Sequence, residues 1–196
     1  MKVMGFESKI YEGVTPAVIK SAKLGNANAQ KLIYDCYSTM VYGTAKRIFK
    51  DTGYADDILQ ETFIDVFTKI NTFRGESPLG PWIRKIARNR CLMLLRSSWI
   101  AKHVDIEIDN NKFVSSHEEK IINEQELELA LATLSVQARA VVLLHDVEGF
   151  KHKEIANMMG KTESFSKSQL ARAHARLKVF LKELNDEDKE VKCSLL

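Results

Sequence analysis

The sequence predicts an all-α protein made of two small helical domains joined by a flexible linker. Apolar residues recur at helical spacing through most of the chain, strand signals are scarce, and no Asn-Gly or Asp-Gly hairpin turn occurs. Between residues 99 and 122 the chain instead becomes polar, acidic and weakly periodic. Because 196 residues suffice for two small domains, we interpret this change in composition as the boundary between them.

Five segments follow from this division. They are an N-terminal tail (1–18), a first helical domain (19–98), an acidic linker (99–122), a second helical domain (123–184) and a charged C-terminal tail (185–196). Roughly 20 linker residues, if extended, would reach ~70 Å. A short strand at Val104–Ile108 is a weak alternative within the linker.

The first domain is predicted to contain four helices. Residues 19–34 and 36–50 give two amphipathic helices with a break near Gly25, and residues 54–71 give a third that is capped near Asp51. The fourth helix follows a short loop and completes the domain.

That loop is constrained by its composition. Residues 74–81 read RGESPLGP, and two glycines and two prolines restrict the backbone. Pro81 suits the first turn of a helix, where its missing N–H removes no hydrogen bond. The helix runs from Trp82 to about Ser97, and we expect Trp82 and Phe73 to pack in the core.

The second domain has the pattern of a helix-turn-helix. Helices are predicted over 123–133, 135–147, His152–Met159 and 163–184. Ala156 permits a close helix crossing and Gly160 makes the turn. The expected apolar core consists of Ile155, Met159, Phe165, Leu170 and Leu177.

The outer face of the last helix carries polar and basic side chains. Ser164, Ser168, Arg172 and Arg176 lie four residues apart, with Lys167 and Gln169 alongside. Arginine and glutamine read base edges in a DNA major groove, while serine hydroxyls bind phosphates. On these residues alone, an exposed face of a plain helical bundle is an equally good explanation.

Charge is unevenly distributed, although the net charge is only +3. Net charge is −4 over residues 51–70, +6 over 74–102, −6 over 103–130 and +6 over 151–182. Two basic segments separated by an acidic one favour two separate contacts with a polyanion. For any single segment, a solvated helix face explains the charge as well.

Other features exclude several classes of protein. No apolar run approaches the ~20 residues that span a bilayer, and the N-terminus lacks a signal-peptide stretch. We therefore expect a cytoplasmic protein with no membrane insertion. Cys36, Cys91 and Cys193 are far apart and form no CxxC pair, which argues against a disulfide framework or a metal site. We expect no metal and no cofactor.

Two segments together resemble the extracytoplasmic-function (ECF) group of sigma-70 factors, which are initiation subunits of bacterial RNA polymerase. The group's pattern is an Asp-x-x-Gln-Glu helix, a Phe-Arg-Gly-Glu turn, a short loop and Trp-aliphatic-x-x-Ile-Ala-x-Asn. The matching residues are Asp57, Gln60, Glu61, Phe73, Arg74, Gly75, Glu76, Trp82, Ile83, Ile86, Ala87 and Asn89. Residues 131–178 are similar to the group's C-terminal domain.

The resemblance implies that the two domains are sigma regions 2 and 4. It implies that Asp57, Gln60 and Glu61 bind the clamp helices of the largest polymerase subunit, where carboxylate and amide groups accept hydrogen bonds from arginine and lysine. Without the resemblance, a solvated helix face would be preferred. Other core polymerase subunits are expected partners, and an anti-sigma factor is a further candidate.

The resemblance also implies that the loop and the helix after it recognise and open the promoter −10 element. The candidate DNA contacts are Arg74, Ser77, Pro78, Leu79, Arg84, Lys85, Arg88 and Asn89. The basic residues of the helix would neutralise phosphates. The rigid loop would hold a base that has left the stack, and Asn89 would hydrogen-bond to its edge.

The helix-turn-helix would read the −35 element as duplex DNA. Its candidate contacts are Ser164, Lys167, Ser168, Gln169, Arg172 and Arg176. The recognition helix departs from the group's usual pattern at Phe165, Ser166, Gln169, Ala171 and His174. These departures leave the −35 preference open, and the two loop prolines do the same for the −10 preference.

Three alternatives compete with this interpretation. A stand-alone helix-turn-helix regulator explains the second domain but not the Asp-x-x-Gln-Glu segment. A metal-dependent phosphohydrolase would use His145 and Asp146, but His103 and His117 lie in the presumed linker and are poor ligands, so we expect no catalytic residue. An adaptor built from two helical bundles predicts no salt-sensitive DNA contact.

Overall fold

The computed structural model describes residues 13–97 and 124–193, with the backbone alone described for 124–125 and 183–193. The described residues form helices joined by turns and contain no strand, which confirms the predicted all-α class. They belong to two compact units, one ending at Leu94 and the other beginning at Leu95. The predicted linker and its alternative strand lie outside the described residues. None of the described helices is long and apolar enough to cross a membrane.

The first unit is built on four helices. They are α1 (Pro16–Lys23), α2 (Ala27–Phe49), α3 (Thr52–Lys69), which ends in a 3-10 turn (Ile70–Thr72), and α4 (Leu79–Arg96). Side chains at the N-caps define where the first three begin: Thr15, Asn26 and Asp51 each accept a hydrogen bond from a backbone N–H of the first turn. The predicted cap at Asp51 is therefore confirmed.

Two features of the predicted helices are corrected. Helix α1 begins at Pro16, inside the segment predicted as a tail, because Thr15 caps it and proline is favoured in a first turn. The predicted separation between residues 34 and 36 is wrong, since α2 continues through both. Its buried stripe of Ile33, Tyr37 and Val41 keeps one helical spacing across that point.

The core of the first unit joins all four helices. Phe63 and Val66 of α3 meet the buried stripe of α2, and Ile83 and Ala87 of α4 pack into the same cluster. Ile70, from the 3-10 turn, is 1% exposed. Burying an aliphatic or aromatic side chain of this size stabilises the fold by about 1.5–3 kcal/mol, so this cluster holds the helices that carry the candidate site.

The second unit contains the predicted helix-turn-helix. Its helices are α5 (Glu124–Ala132), α6 (Val136–Val142), which continues as a π-helical turn (Leu143–Val147), α7 (His152–Met159) and α8 (Glu163–Cys193). The bounds of α7 agree with the prediction. Helix α8 extends beyond residue 184 to Cys193, into the segment predicted as a charged tail.

The helix-turn-helix core agrees with the sequence in part. Ile155, Met159 and Leu170 are buried as predicted, whereas Phe165 and Leu177 are only half-buried. The small residues Ser166 and Ala173 of α8 are also buried and were missed. The crossing and the turn are as predicted: Ala156 is 5% exposed, and Gly160 adopts a left-handed conformation with φ +65°.

Candidate nucleic-acid and protein-binding surfaces

One candidate surface is an acidic face of α3. Asp57, Gln60 and Glu61 are all exposed, and their spacing of three and four residues brings them to the same side of the helix. Ile64, about one turn further on, is 59% exposed. We call these four residues the acidic face. It combines hydrogen-bond acceptors with an apolar side chain.

Arg90 of α4 ties this face to the neighbouring helix. Its Nε donates to Asp65 Oδ2 at 2.5 Å, and its Nη1 lies 3.2 Å from Glu61 Oε2. Lys69 Nζ lies 2.8 Å from Asp65 Oδ1. The hydrogen bond from Arg90 lowers the pKa of Asp65 and raises the pKa of Arg90 itself. Glu61 thus belongs both to the acidic face and to an ion pair with Arg90, which sequence spacing could not predict.

The loop before α4 is anchored at both ends. Phe73 is 5% exposed and its ring centroid lies 5.4 Å from that of Trp82, while Leu79 is 3% exposed. Phe73 is therefore a core residue as expected, and Trp82 is half-buried against the core cluster. Residues 74–78 between the anchors are exposed, and Gly75 turns the chain with φ +76°.

This loop forms one wall of a cavity of about 640 Å³. Ser77 and Pro78 line it from the loop, and Leu79 and Arg84 line it from α4, which begins at Leu79 rather than at the predicted Trp82. Helix α1 also lines the cavity, although its sequence predicted no role in a site. Of the candidate −10 contacts, Leu79 is buried in the core, so its side chain presents little surface to DNA.

The remaining candidate −10 contacts lie along α4. Lys85 and Asn89 are exposed four residues apart, and Met93, a further four residues on, is 59% exposed. Arg84 and Arg88 are half-buried beside this row. The outer face of α4 therefore combines the positive charge of its lysine and arginines with the amide group of Asn89.

The recognition helix α8 offers fewer free side chains than its sequence indicated. Ser164, Lys167 and Arg172 are exposed, but Ser168, Gln169 and Arg176 are half-buried. Ser168 Oγ donates to the carbonyl of Phe165 at 2.9 Å. Lys167 Nζ lies 2.7 Å from Glu163 Oε1, and this hydrogen bond lowers the pKa of Glu163. Arg172 is the exposed arginine among the six candidates.

A histidine network that was not predicted from the sequence joins three elements of the second unit. Asp146 in the π-helical turn accepts from His174 Nε2 at 2.6 Å and from His145 Nδ1 at 2.8 Å. The His145 ring stacks on His152, with centroids 4.6 Å apart, and His152 Nδ1 lies 3.0 Å from the buried Ser166 Oγ. In the described parts of the chain, no cluster of histidine, cysteine and acidic side chains is arranged to hold a metal ion.

Within this network, the pKa of His152 is lower than the ordinary value of a histidine. Burial lowers the pKa of His152, and the neighbouring His145 and Lys167 lower it further, while Glu163 and Asp146 act in the opposite direction. The folded unit therefore disfavours protonated His152. The stabilising effect of neutral His152 is therefore complete at pH values above 6.5, the pKa in the unfolded chain, and declines as the pH falls below that value.

We expect calorimetry of the full chain to show this loss. Between about pH 7.5 and about pH 5.5, the melting temperature of the second unit should fall further in the wild type than in a His152→Gln variant. Glutamine cannot be protonated but can still hydrogen-bond to Ser166. An equal fall in both proteins would mean that other groups cause the pH dependence.

Comparisons with known proteins agree with the two-unit architecture. Residues 33–100 match the family described as Sigma-70 region 2, and residues 124–177 match Sigma-70, region 4. The chain is 30% identical over 161 residues to the ECF RNA polymerase sigma factor SigM of Mycobacterium tuberculosis, covering 82% of this chain and 81% of that protein. It is 28% identical over 167 residues to the ECF RNA polymerase sigma factor SigX of Bacillus subtilis, covering 79% and 82%.

Similar solved structures include complexes of two other proteins. One is CnrH in complex with the cytosolic domain of CnrY, with 18% identity, a TM-score of 0.47 and coverage of 85% of this chain and 96% of that one. The other is the sigma factor RpoE in complex with the anti-sigma factor NepR from Bartonella quintana, with 23% identity, a TM-score of 0.46 and coverage of 78% and 96%.

Proposed function

This chain belongs to the extracytoplasmic-function group of the sigma-70 family, and on that premise we propose which of its surfaces performs each step of promoter recognition. Sigma factors bind core RNA polymerase and direct it to promoter DNA, and they are initiation factors rather than enzymes. The observation that carries the assignment is the presence of both regions, 33–100 and 124–177, in one chain that matches SigM of Mycobacterium tuberculosis over 81% of that protein.

The acidic face of α3 is the proposed docking site for the clamp helices of the largest polymerase subunit. Asp57 and Gln60 are exposed acceptors for basic side chains. Ile64 supplies apolar area beside them. Polar groups around an apolar contact match the composition of protein interfaces better than a purely charged surface does.

The loop, the cavity and the outer face of α4 are the proposed site of −10 recognition and opening. Strand separation needs a compartment for a base that leaves the stack, together with cations for its phosphates. The cavity of about 640 Å³ lies within the range of pockets that enclose small organic groups. Lys85 and Arg88 would neutralise phosphates, and Asn89 would hydrogen-bond to a base edge.

Helix α8 is the proposed −35 reader. Arg172 is exposed and suited to a bidentate contact with guanine, while Lys167 and Ser164 would contact phosphates. The half-buried Gln169 and Arg176 would contribute at the edge of this surface. Because promoter DNA and core polymerase are cytoplasmic in bacteria, the proposed place of action is the cytoplasm.

The test is a pull-down of bacterial core RNA polymerase by the tagged full chain, followed by run-off transcription from a random-sequence DNA library. We expect stable binding and discrete transcription start sites that share two sequence elements. Tight, specific DNA binding by the chain alone, without binding to core polymerase, would instead support a stand-alone regulator.

A further inference from the structure

Helix α1 lines the same cavity as the loop, and it lies before the residues that match region 2. Ile19, Lys20 and Lys23 line the cavity from this helix. Lys20 is exposed, whereas Lys23 is half-buried. The two lysines bring the same charge to one cavity, but they differ in exposure, and the structure gives Lys23 a hydrogen-bond acceptor at Phe73.

Lys23 is bonded to the start of the loop. Its Nζ donates to the carbonyl oxygen of Phe73 at 2.6 Å, in a partly buried contact between residues 50 positions apart in sequence. A hydrogen bond from an ammonium group is roughly twice as strong as a neutral one. The N–H of Phe73 donates to the carbonyl of Ile70, and the Phe73 ring is buried. With the bond from Lys23, the N–H, the carbonyl and the side chain of Phe73 are all held in place just before the loop begins.

We propose that Lys23 is a positioning residue for −10 strand opening: it holds the loop at a fixed distance from α1 and so keeps the cavity open to an extruded base. This inference rests on the proposed role of the cavity. Residues 74–78 are exposed, and the residues on either side of them, Phe73 and Leu79, are buried in the core. Lys23 links α1 to Phe73, just before the loop, whereas the buried Leu79 holds the chain just after it.

The experiment compares holoenzymes carrying Lys23→Met and Lys20→Met on a duplex promoter selected from a random-sequence library by the wild-type holoenzyme. Each variant removes one positive charge from the same cavity lining and keeps most of the aliphatic stem. We expect Lys23→Met to slow open-complex formation, measured by permanganate reactivity, about tenfold. Binding to the closed duplex should be unchanged. The effect of Lys20→Met should stay below about threefold and diminish in high salt.

A conservative variant separates positioning from simple loss of structure. Lys23→Arg retains a charged donor and should recover most of the opening rate, and circular dichroism should show equal helical content in all three variants. If Lys20→Met and Lys23→Met slow opening equally, and salt abolishes both effects, Lys23 contributes only charge and the inference is wrong.

A Ser77→Trp variant tests the cavity itself, because an indole at this exposed lining position would obstruct it. We expect it to impair opening. Normal opening by Ser77→Trp would remove the cavity's proposed role, and the inference with it. Impaired opening by Ser77→Trp with normal opening by Lys23→Met would overturn the inference alone and leave the proposed function standing.

Discussion

Combining Asp57→Lys with Gln60→Ala is expected to weaken binding to core RNA polymerase by about a hundredfold, because truncating or reversing one partner of a buried interfacial charge pair costs several kcal/mol. Both side chains are exposed on α3 and lie outside the core cluster, so the fold should be retained. The measurement is the dissociation constant for core polymerase, with helical content followed by circular dichroism.

Asp35→Lys provides the matched control. Asp35 is an exposed carboxylate on α2, 2.6 Å from Lys31, and it lies outside the acidic face. Exposed pairs of this kind contribute between about 0 and 1 kcal/mol, so polymerase binding should change little. If the α3 variant keeps its affinity while remaining folded, polymerase docks on another surface of the chain.

Glu61 is left intact in this variant for a structural reason. Its carboxylate lies 3.2 Å from Arg90 of α4. Arg90 also binds Asp65 of α3 and so links the two helices. Replacing Glu61 would alter both the acidic face and the environment of Arg90, and the two effects would be measured together. A loss of polymerase affinity in a Glu61 variant could then arise from a small movement of α4 rather than from a lost intermolecular contact.

The helices were predictable where local signals act alone. The cap at Asp51, the left-handed Gly160 and the apolar spacing of α7 each depend on residues within one or two turns, and each is where the sequence indicated. The start of α1 was misjudged because the cap at Thr15 lies outside the segment taken as helical. The extra length of α8 was missed because charged residues are compatible with both a helix and a tail.

In the candidate site, too, only relations between residues close in sequence could be predicted. Asp57, Gln60 and Glu61 could be placed on one face from their spacing alone. The bond between Lys23 and Phe73, by contrast, joins residues 50 positions apart. No helical periodicity relates residues so far apart, because their contact depends on how α1 packs against the core. The buried Ser166 was missed for a similar reason: its hydroxyl is satisfied by His152 on the preceding helix.

Arg172→Ala is expected to weaken −35 recognition by about tenfold to a hundredfold, because a bidentate arginine–guanine contact contributes about 1–3 kcal/mol of discrimination. Arg172 is exposed nine residues after α8 begins at Glu163, whereas Arg176 is half-buried. The measurement is transcription by the variant holoenzyme from promoters carrying every single substitution in the −35 element. The loss should be concentrated at one base pair, where the wild-type preference disappears.

Two further variants make the result specific to base reading. Lys167→Ala should weaken all −35 sequences alike and make binding less dependent on salt, as expected for a phosphate contact. Lys182→Ala changes an exposed residue further along α8 and should have little effect. A uniform loss in Arg172→Ala, equal for every −35 sequence, would make Arg172 a phosphate contact and place base recognition on other side chains of the helix. Since Gln169 is half-buried beside it, a −35 preference retained in Arg172→Ala and lost in Gln169→Ala would identify that residue as the reader.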